Sequence, residues 1–179
     1  NLPTTKVNGV DVAVTAKAVW SAPWCNMVHF ERDADALVKA RGERTDPSVL
    51  IVAPMSGHYA TLLRGTVAAM LPDHEVYITD WVDARDIPLA MGRFDLDDFI
   101  DHVIEFIRVL GPDTHVMGVC QPAVPVLAAV AHVGGLAGGA DPGRLRAPAR
   151  PVLVGVAGRD RDPGRPGAGV ASRRFREPG

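Results

Sequence analysis

Only two cysteines occur in this 179-residue sequence. Cys25 and Cys120 stand far apart, with no C-x-x-C pair and no metal-ligand spacing, which excludes a disulfide framework and a thiolate metal site. Long hydrophobic runs are also missing. No stretch approaches the roughly eighteen apolar residues of a membrane span. Residues 1–20 alternate polar and apolar positions instead of forming an apolar segment, so no signal peptide is read. An excess of either charge is missing as well: a net charge of -2 leaves no basic field to recruit nucleic acid or an anionic membrane. A cytosolic chain without metal or cofactor is the expectation, long enough for one domain with its own core.

What is present reads as alternating strands and helices. Asn8-Gly9, between Lys6-Val7 and the alternating run Val10 to Val14, is a hairpin signal because both residues tolerate positive φ. Residues 20–30 read as an apolar, aromatic connection. Trp20, Trp24 and Phe30 there suit contact with a hydrophobic polymer by their chemistry, although such residues commonly belong to a core. Val49 to Ala53 is a continuous apolar run between Pro47 and Pro54, the pattern of a buried parallel strand. A helix is expected over 60–71 and a strand over Glu75 to Thr79. Leu96, Phe99, Ile100, Val103, Ile104, Ile107 and Leu110 then follow helical spacing, capped by Asp95 and stopped by Gly111-Pro112. The alternation predicts a doubly wound, mostly parallel sheet preceded by the hairpin.

The most informative stretch is 114–132. A short β-type run from His115 to Val119 leads directly into Cys120-Gln121-Pro122, and an Ala-rich apolar helical run follows. A nucleophile elbow has this context: a sharp strand-to-helix turn that holds a reactive side chain out at the top of a sheet. Here the pattern is G-x-C-x-P, where the common serine version is G-x-S-x-G. Gly118 leaves room for the turn, and Pro122 opens the helix where its missing N–H costs nothing. At a helix N-terminus the aligned backbone dipoles favour a thiolate. A lone cysteine after a strand can equally be core packing.

Several sequence words resemble those of the intracellular poly(3-hydroxybutyrate) depolymerases. They are Val49 to Gly65 (VLIVAPMSGHYATLLRG), Leu71 to Trp81 (LPDHEVYITDW), Asp83-Ala-Arg-Asp86, Gly92 to Asp98 (GRFDLDD), Gly111-Pro-Asp-Thr-His115 and Gly118 to Pro125 (GVCQPAVP). The resemblance covers roughly residues 4–131. It implies an α/β-hydrolase fold, a nucleophile at Cys120, hydrolysis of a stored polyester through a thioester, and a cytoplasmic site of action at polyester granules. The related polyester synthases carry a cysteine in a G-x-C-x-G elbow, from which Pro122 departs.

Acyl transfer through Cys120 requires oxyanion donors, a base and a group that orients the base. The backbone N–H of Gln121, the residue after the nucleophile, is one expected donor. The second is expected in the loop Pro54 to His58, from Met55 or Ser56. In this fold the histidine follows the nucleophile, and only His132 does so. Twelve residues along a regular helix place it roughly 18 Å away, out of reach. His58, near the oxyanion loop, is a weak candidate base, although a plain loop residue is the simpler reading. His29, His74, His102 and His115 show no partner pattern and read as surface or core. Pro151 to Asp160 is similar to a hydrolase strand ending on its acid, which makes Asp160 a weak candidate.

Beyond residue 132 the composition shifts. Residues 133–179 hold nine of the sixteen arginines, no lysine and eleven of the eighteen glycines, a stretch expected to order poorly. The expected organisation is therefore 1–46 as hairpin and connection, 47–132 as hydrolase core, and 133–179 as an irregular or out-of-frame tail. Such a chain is short for a complete, elaborated α/β-hydrolase and reads as a truncated copy. Two function classes follow. One is a polyester depolymerase acting on granules or hydroxybutyrate oligomers. The other is an inactive remnant that binds granules, with a synthase-like acyltransferase as a further alternative.

Overall fold

The computed structural model describes residues 2–55 and 60–137. Strands β1 (Thr4–Val7) and β2 (Val10–Ser21) form the expected hairpin, with Asn8 at φ 48° and Gly9 at φ 83°. Both signs match the twist that a two-residue hairpin turn requires. The segment after it differs from the expected connection: β2 folds back directly into β3 (Cys25–Arg32). Cys25 and Met27 are fully buried, and Asn26 between them is half-buried. Apolar residues on both faces hide the period-2 alternation that would have revealed a strand.

Helix α1 (Ala34–Arg41) has no counterpart in the sequence expectations. It starts at Asp33, whose side chain accepts from the Ala36 N–H at 2.8 Å, an ordinary N-cap. The chain continues through β4 (Ser48–Val52), a 3-10 turn leading into α2 (Arg64–Met70), β5 (Glu75–Trp81), α3 (Leu96–Leu110), β6 (His115–Gly118) and α4 (Ala123–Ala137). Residues 133–137 thus continue the helix beyond its expected end. In α3 the Asp95/Asp98 capping box is present and Gly111 closes the helix. Phe106, four residues before Leu110, is fully buried and joins Phe99 and Val103 at i, i+4, i+7, whereas Leu96 is exposed at the first turn.

One six-stranded sheet results, in the order β1-β2-β3-β5-β4-β6. Strands β4, β5 and β6 run parallel, and β3 joins β5 antiparallel. Because β4 lies between β5 and β6, the two crossovers step in opposite directions. Right-handed crossovers of opposite direction put α2 and α3 on opposite faces, so the parallel part is doubly wound. Antiparallel strands first, three parallel strands next and a tight strand-to-helix turn after the last make this an incomplete α/β-hydrolase fold. Leu50, Ile51, Val52, Val76, Ile78 and Val116 are wholly buried, as continuous apolar parallel strands must be. Among the described residues no helix is long and apolar enough to cross a membrane.

The lower end of the sheet, where β4 and β5 begin, is tied by charge. Buried Arg32 bonds Asp46 at 2.7 Å and also pairs with Glu75, and its guanidinium donates to the Leu71 carbonyl at 2.8 Å. Arg41 pairs with Asp46 too, and Arg44 reaches Asp46 at 3.0 Å and Asp73 at 2.8 Å. The cluster fastens β3, α1, β4 and β5 to one another, at the end away from the elbow.

Candidate functional site

Cys120 lies at the upper end of the sheet, in the turn between β6 and α4. Its φ is 65°, a left-handed conformation shared among the described non-glycine residues only with Asn8. A side chain held there costs on the order of 1 kcal/mol or more, so the surroundings must enforce it. They do so from three sides. The Val119 N–H donates to the Val52 carbonyl at 3.3 Å, which fixes the end of β6 against β4. The Ala123 N–H donates to the Cys120 carbonyl at 3.1 Å, closing the turn, and Val126 to the Pro122 carbonyl at 3.0 Å, beginning the helix. A Cβ on Gly118 would meet the Ala123 Cα at 3.0 Å and the Pro122 carbonyl at 3.1 Å, so a larger residue would have to push the backbone of the turn aside. Pro122 immediately precedes α4 and Pro125 falls in its first turn, where backbone donors have no intrahelical partner in any case. Cys120 is exposed.

The crevice above β4 and β6 is where crossover directions reverse, the usual binding position in open α/β sheets. Val52 pairs in register with Gly118, so the residues after β4 emerge beside the Cys120 turn. The backbone there is held tightly. Registered β4–β5 pairing ends at Ile51 and Ile78, and two β5 side chains take over beyond it. The Ala53 N–H donates to Thr79 Oγ1 at 2.8 Å, and Trp81 Nε1 donates to the Ala53 carbonyl at 2.8 Å. Pro54 has no N–H, so Met55 carries the next backbone donor after Ala53. Met55 is half-buried against the core. Ser56 and His58, the other expected contributors, lie outside the described residues, as do Asp160 and the segment around it.

A ring layer covers the flank of this end. Trp81 packs on Phe99 with centroids 4.4 Å apart and on Phe94 at 5.7 Å, and Trp24 stacks on Phe94 at 5.0 Å. Trp20 meets Phe106 edge-on at 4.9 Å. Trp20 and Phe30 are half-buried against the core, and Trp24, also half-buried, rests on Phe94.

The described histidines stand apart from Cys120. His132 is exposed, well along α4. His102 Nδ1 lies 2.8 Å from the Asp98 carbonyl, which can only accept, so that nitrogen carries the proton. His74 Nδ1 is 3.2 Å from the Met70 carbonyl. His115 starts β6, at the far end of the strand from the elbow. His29 does have a partner: its Nε2 is 2.9 Å from Glu75, and its ring stacks on Tyr77 at 4.4 Å. No local signal marks this pair, because β3 carries no visible alternation and its neighbour β5 is distant in sequence. Glu75 opens β5 and Trp81 ends it, so the pair belongs to the lower end. Among the described residues no group of three or more His, Cys, Asp or Glu side chains could hold a metal ion.

Comparison with known proteins adds resemblance but no family. No family model and no curated protein matches the sequence. Among solved structures, the N-formylmaleamic acid deformylase from Pseudomonas putida S16 is 12% identical over 74% of this chain and 42% of its own, with a TM-score of 0.43. Brefeldin A esterase, described as a bacterial homologue of human hormone-sensitive lipase, is 15% identical over 76% of this chain and 38% of its own, with a TM-score of 0.45. The 2-hydroxy-6-oxo-6-phenylhexa-2,4-dienoate hydrolase of Rhodococcus sp. strain RHA1 is 15% identical over 69% of this chain and 43% of its own, with a TM-score of 0.44. The chain thus spans about two fifths of the length of each. At these scores the fold assignment rests on strand order, crossover direction and the Cys120 turn.

Proposed function

We propose that this chain carries the nucleophile half of a thiol-dependent esterase, with a 3-hydroxyalkanoate polyester or its oligomers as substrate. The observation that carries the reading is the exposed Cys120 held at φ 65° between β6 and α4. The sequence words shared with poly(3-hydroxybutyrate) depolymerases supply the substrate class. In the proposed reaction the Cys120 sulfur attacks the ester carbonyl carbon, and the bond to the alcohol oxygen breaks. The chain-end alcohol leaves with the thiol proton, and a 3-hydroxyacyl thioester remains. Water then adds to the thioester, the C–S bond breaks, and the hydroxy acid departs while the thiol recovers its proton. Gln121 and Met55 would hold the developing oxyanion through their N–H groups. Granule surfaces or soluble oligomers would be the partners.

A granule-binding role without turnover is the second reading. It is favoured by the placement of His132, His102, His74, His29 and His115, none of which is bonded to Cys120. An acyltransferase, in which another thiol replaces water, shares the first half-reaction. Incubation with 4-nitrophenyl 3-hydroxybutyrate followed by peptide mass spectrometry tests the common step. An acyl adduct on the Cys120 peptide, lost in Cys120→Ala, is the expected result; its absence in the wild type would reject the thioester reading.

A further inference from the structure

We infer that Thr79 and Trp81 are positioning residues for the oxyanion site, acting through the single residue Ala53; the inference rests on the thioester reading above. Ala53 directly follows the buried strand β4 and leads into Pro54-Met55. Its N–H is taken by the Thr79 hydroxyl and its carbonyl by the Trp81 indole, both at 2.8 Å. The neighbouring Val52 carbonyl accepts from Val119, one residue before Cys120. The Val52–Ala53 peptide unit is therefore bonded on one side to the nucleophile turn and on the other to β5, and the following Ala53–Pro54 unit is bonded to β5 as well. The Met55 N–H follows this anchored pair after one proline, whose ring fixes φ. Its place relative to the sulfur is set by bonds made at Ala53.

These bonds are protected. Thr79 is wholly buried and Trp81 is 7% exposed, with the indole packed against Phe99 and Phe94. Water cannot readily replace either partner, so each bond keeps its full directional value. A threonine and a tryptophan two apart on one strand face put both groups on the same side of β5. A displacement of well under 1 Å at an oxyanion donor is costly, since donors act only at about 2.7–3.1 Å from the charge they stabilise.

The chemistry provides its own control. Acylation of Cys120 builds an oxyanion, whereas alkylation by iodoacetamide is a displacement at carbon that builds none. Four proteins are compared: wild type, Trp81→Phe (ring kept, donor removed), Thr79→Val (shape kept, acceptor removed) and Thr79→Ser (acceptor restored). The burst of 4-nitrophenolate from 4-nitrophenyl 3-hydroxybutyrate gives the acylation rate at Cys120. Iodoacetamide labelling of the same residue gives the reference rate. Cys25, the register partner of Trp81, reports any opening of the sheet by becoming labelled.

Acylation slowed about tenfold or more in Trp81→Phe and Thr79→Val, with Cys120 alkylation unchanged, Cys25 still unlabelled and recovery in Thr79→Ser, is the expected pattern. Equal acylation rates in all four proteins would overturn the positioning role while leaving the thioester reading intact. A fall matched by faster Cys25 labelling would overturn it too, assigning both side chains to strand stability alone. If the wild type itself gives no acyl adduct, the thioester reading fails and this inference goes with it.

Discussion

Gly118 and Ala123 touch backbone to backbone: a Cβ built on Gly118 would lie 3.0 Å from the Ala123 Cα. The obstruction is main chain, which cannot swing aside as a side-chain tip can. The strand entering the Cys120 turn and the helix leaving it are thereby locked at one separation, and that contact holds a non-glycine residue at positive φ.

Gly118→Ala is therefore expected to destabilise the fold by roughly 1–3 kcal/mol, the usual cost of overpacking. Urea denaturation of the two proteins reads this directly. The same change should alter the iodoacetamide rate at Cys120, because the turn must widen to admit the methyl group. A variant with unchanged midpoint and unchanged labelling would contradict the close contact.

The two thiols should differ sharply in reactivity. Burial pushes the Cys25 thiol far above its ordinary value, outweighing a hydrogen bond with the Asp80 backbone that lowers it, with the Asp80 carboxylate adding a smaller push upward, so it remains protonated across neutral pH. The thiolate is the nucleophile, and Cys25 is also inaccessible. Exposed Cys120 should be alkylated at least about tenfold faster at neutral pH, given its access to the reagent. Peptide mapping after limited iodoacetamide treatment checks it; comparable labelling of both would be contrary.

Acid should weaken the lower end of the sheet first. Burial alone would raise Asp46, but hydrogen bonds from Arg41, Arg32 and Arg44 outweigh it and hold the carboxyl at about 2. A folded-state value depressed below the unfolded one contributes stability above the unfolded value, near about 4, and loses it as pH falls through the folded one. Thermal unfolding midpoints should accordingly drop between about pH 4 and pH 2. Glu75, held down by His29 and then by Arg32 against its own partial burial, acts in the same direction. Asp46→Asn removes one of the two carboxylates paired with buried Arg32 and the carboxylate paired with Arg41, a loss of at most about 3–5 kcal/mol at pH 7 because Glu75 still faces Arg32, and should flatten the acid dependence. An unchanged acid profile in that variant would show that other carboxylates govern it.

Turnover is expected to lag far behind acylation. His132 is the histidine on α4, nine residues and roughly 13–14 Å along the axis from the helix start at Ala123, which itself follows the Cys120 turn. Without general acid–base help, deacylation should be slower by about a hundred- to ten-thousand-fold than in a complete acid–base site. The 179-residue chain should show a single burst and then little further product. Sustained release of 3-hydroxybutyrate would point to a base outside the described residues, with His58 the first variant to make.

The fold was legible wherever a local pattern sufficed. Asn8-Gly9 determined the hairpin, since few other pairs accept two positive φ values. The spacing from Phe99 to Leu110, with Asp95 before it and Gly111 after it, determined α3. Gly118, Cys120 and Pro122, in sequence between a β-type run and an apolar helical run, determined the sharp turn. Each of these is short-range, because backbone geometry and side-chain period act within a few residues.

Other features depend on which strands become neighbours. Strand β3 was hidden because both its faces are covered, which erases the alternation. His29 met Glu75, and Arg32 met Asp46 and Glu75, only once β3 had paired with β5. Thr79 and Trp81 were present in the sequence words from the start, yet their bonds to Ala53 span 26 and 28 residues. No local rule couples positions so distant. The sequence determined by itself that Cys120 would sit in a strained turn at the end of a strand. Tertiary structure decided what surrounds that turn, because the partners of the Val52 and Ala53 peptides come from strands that only the folded sheet brings beside them.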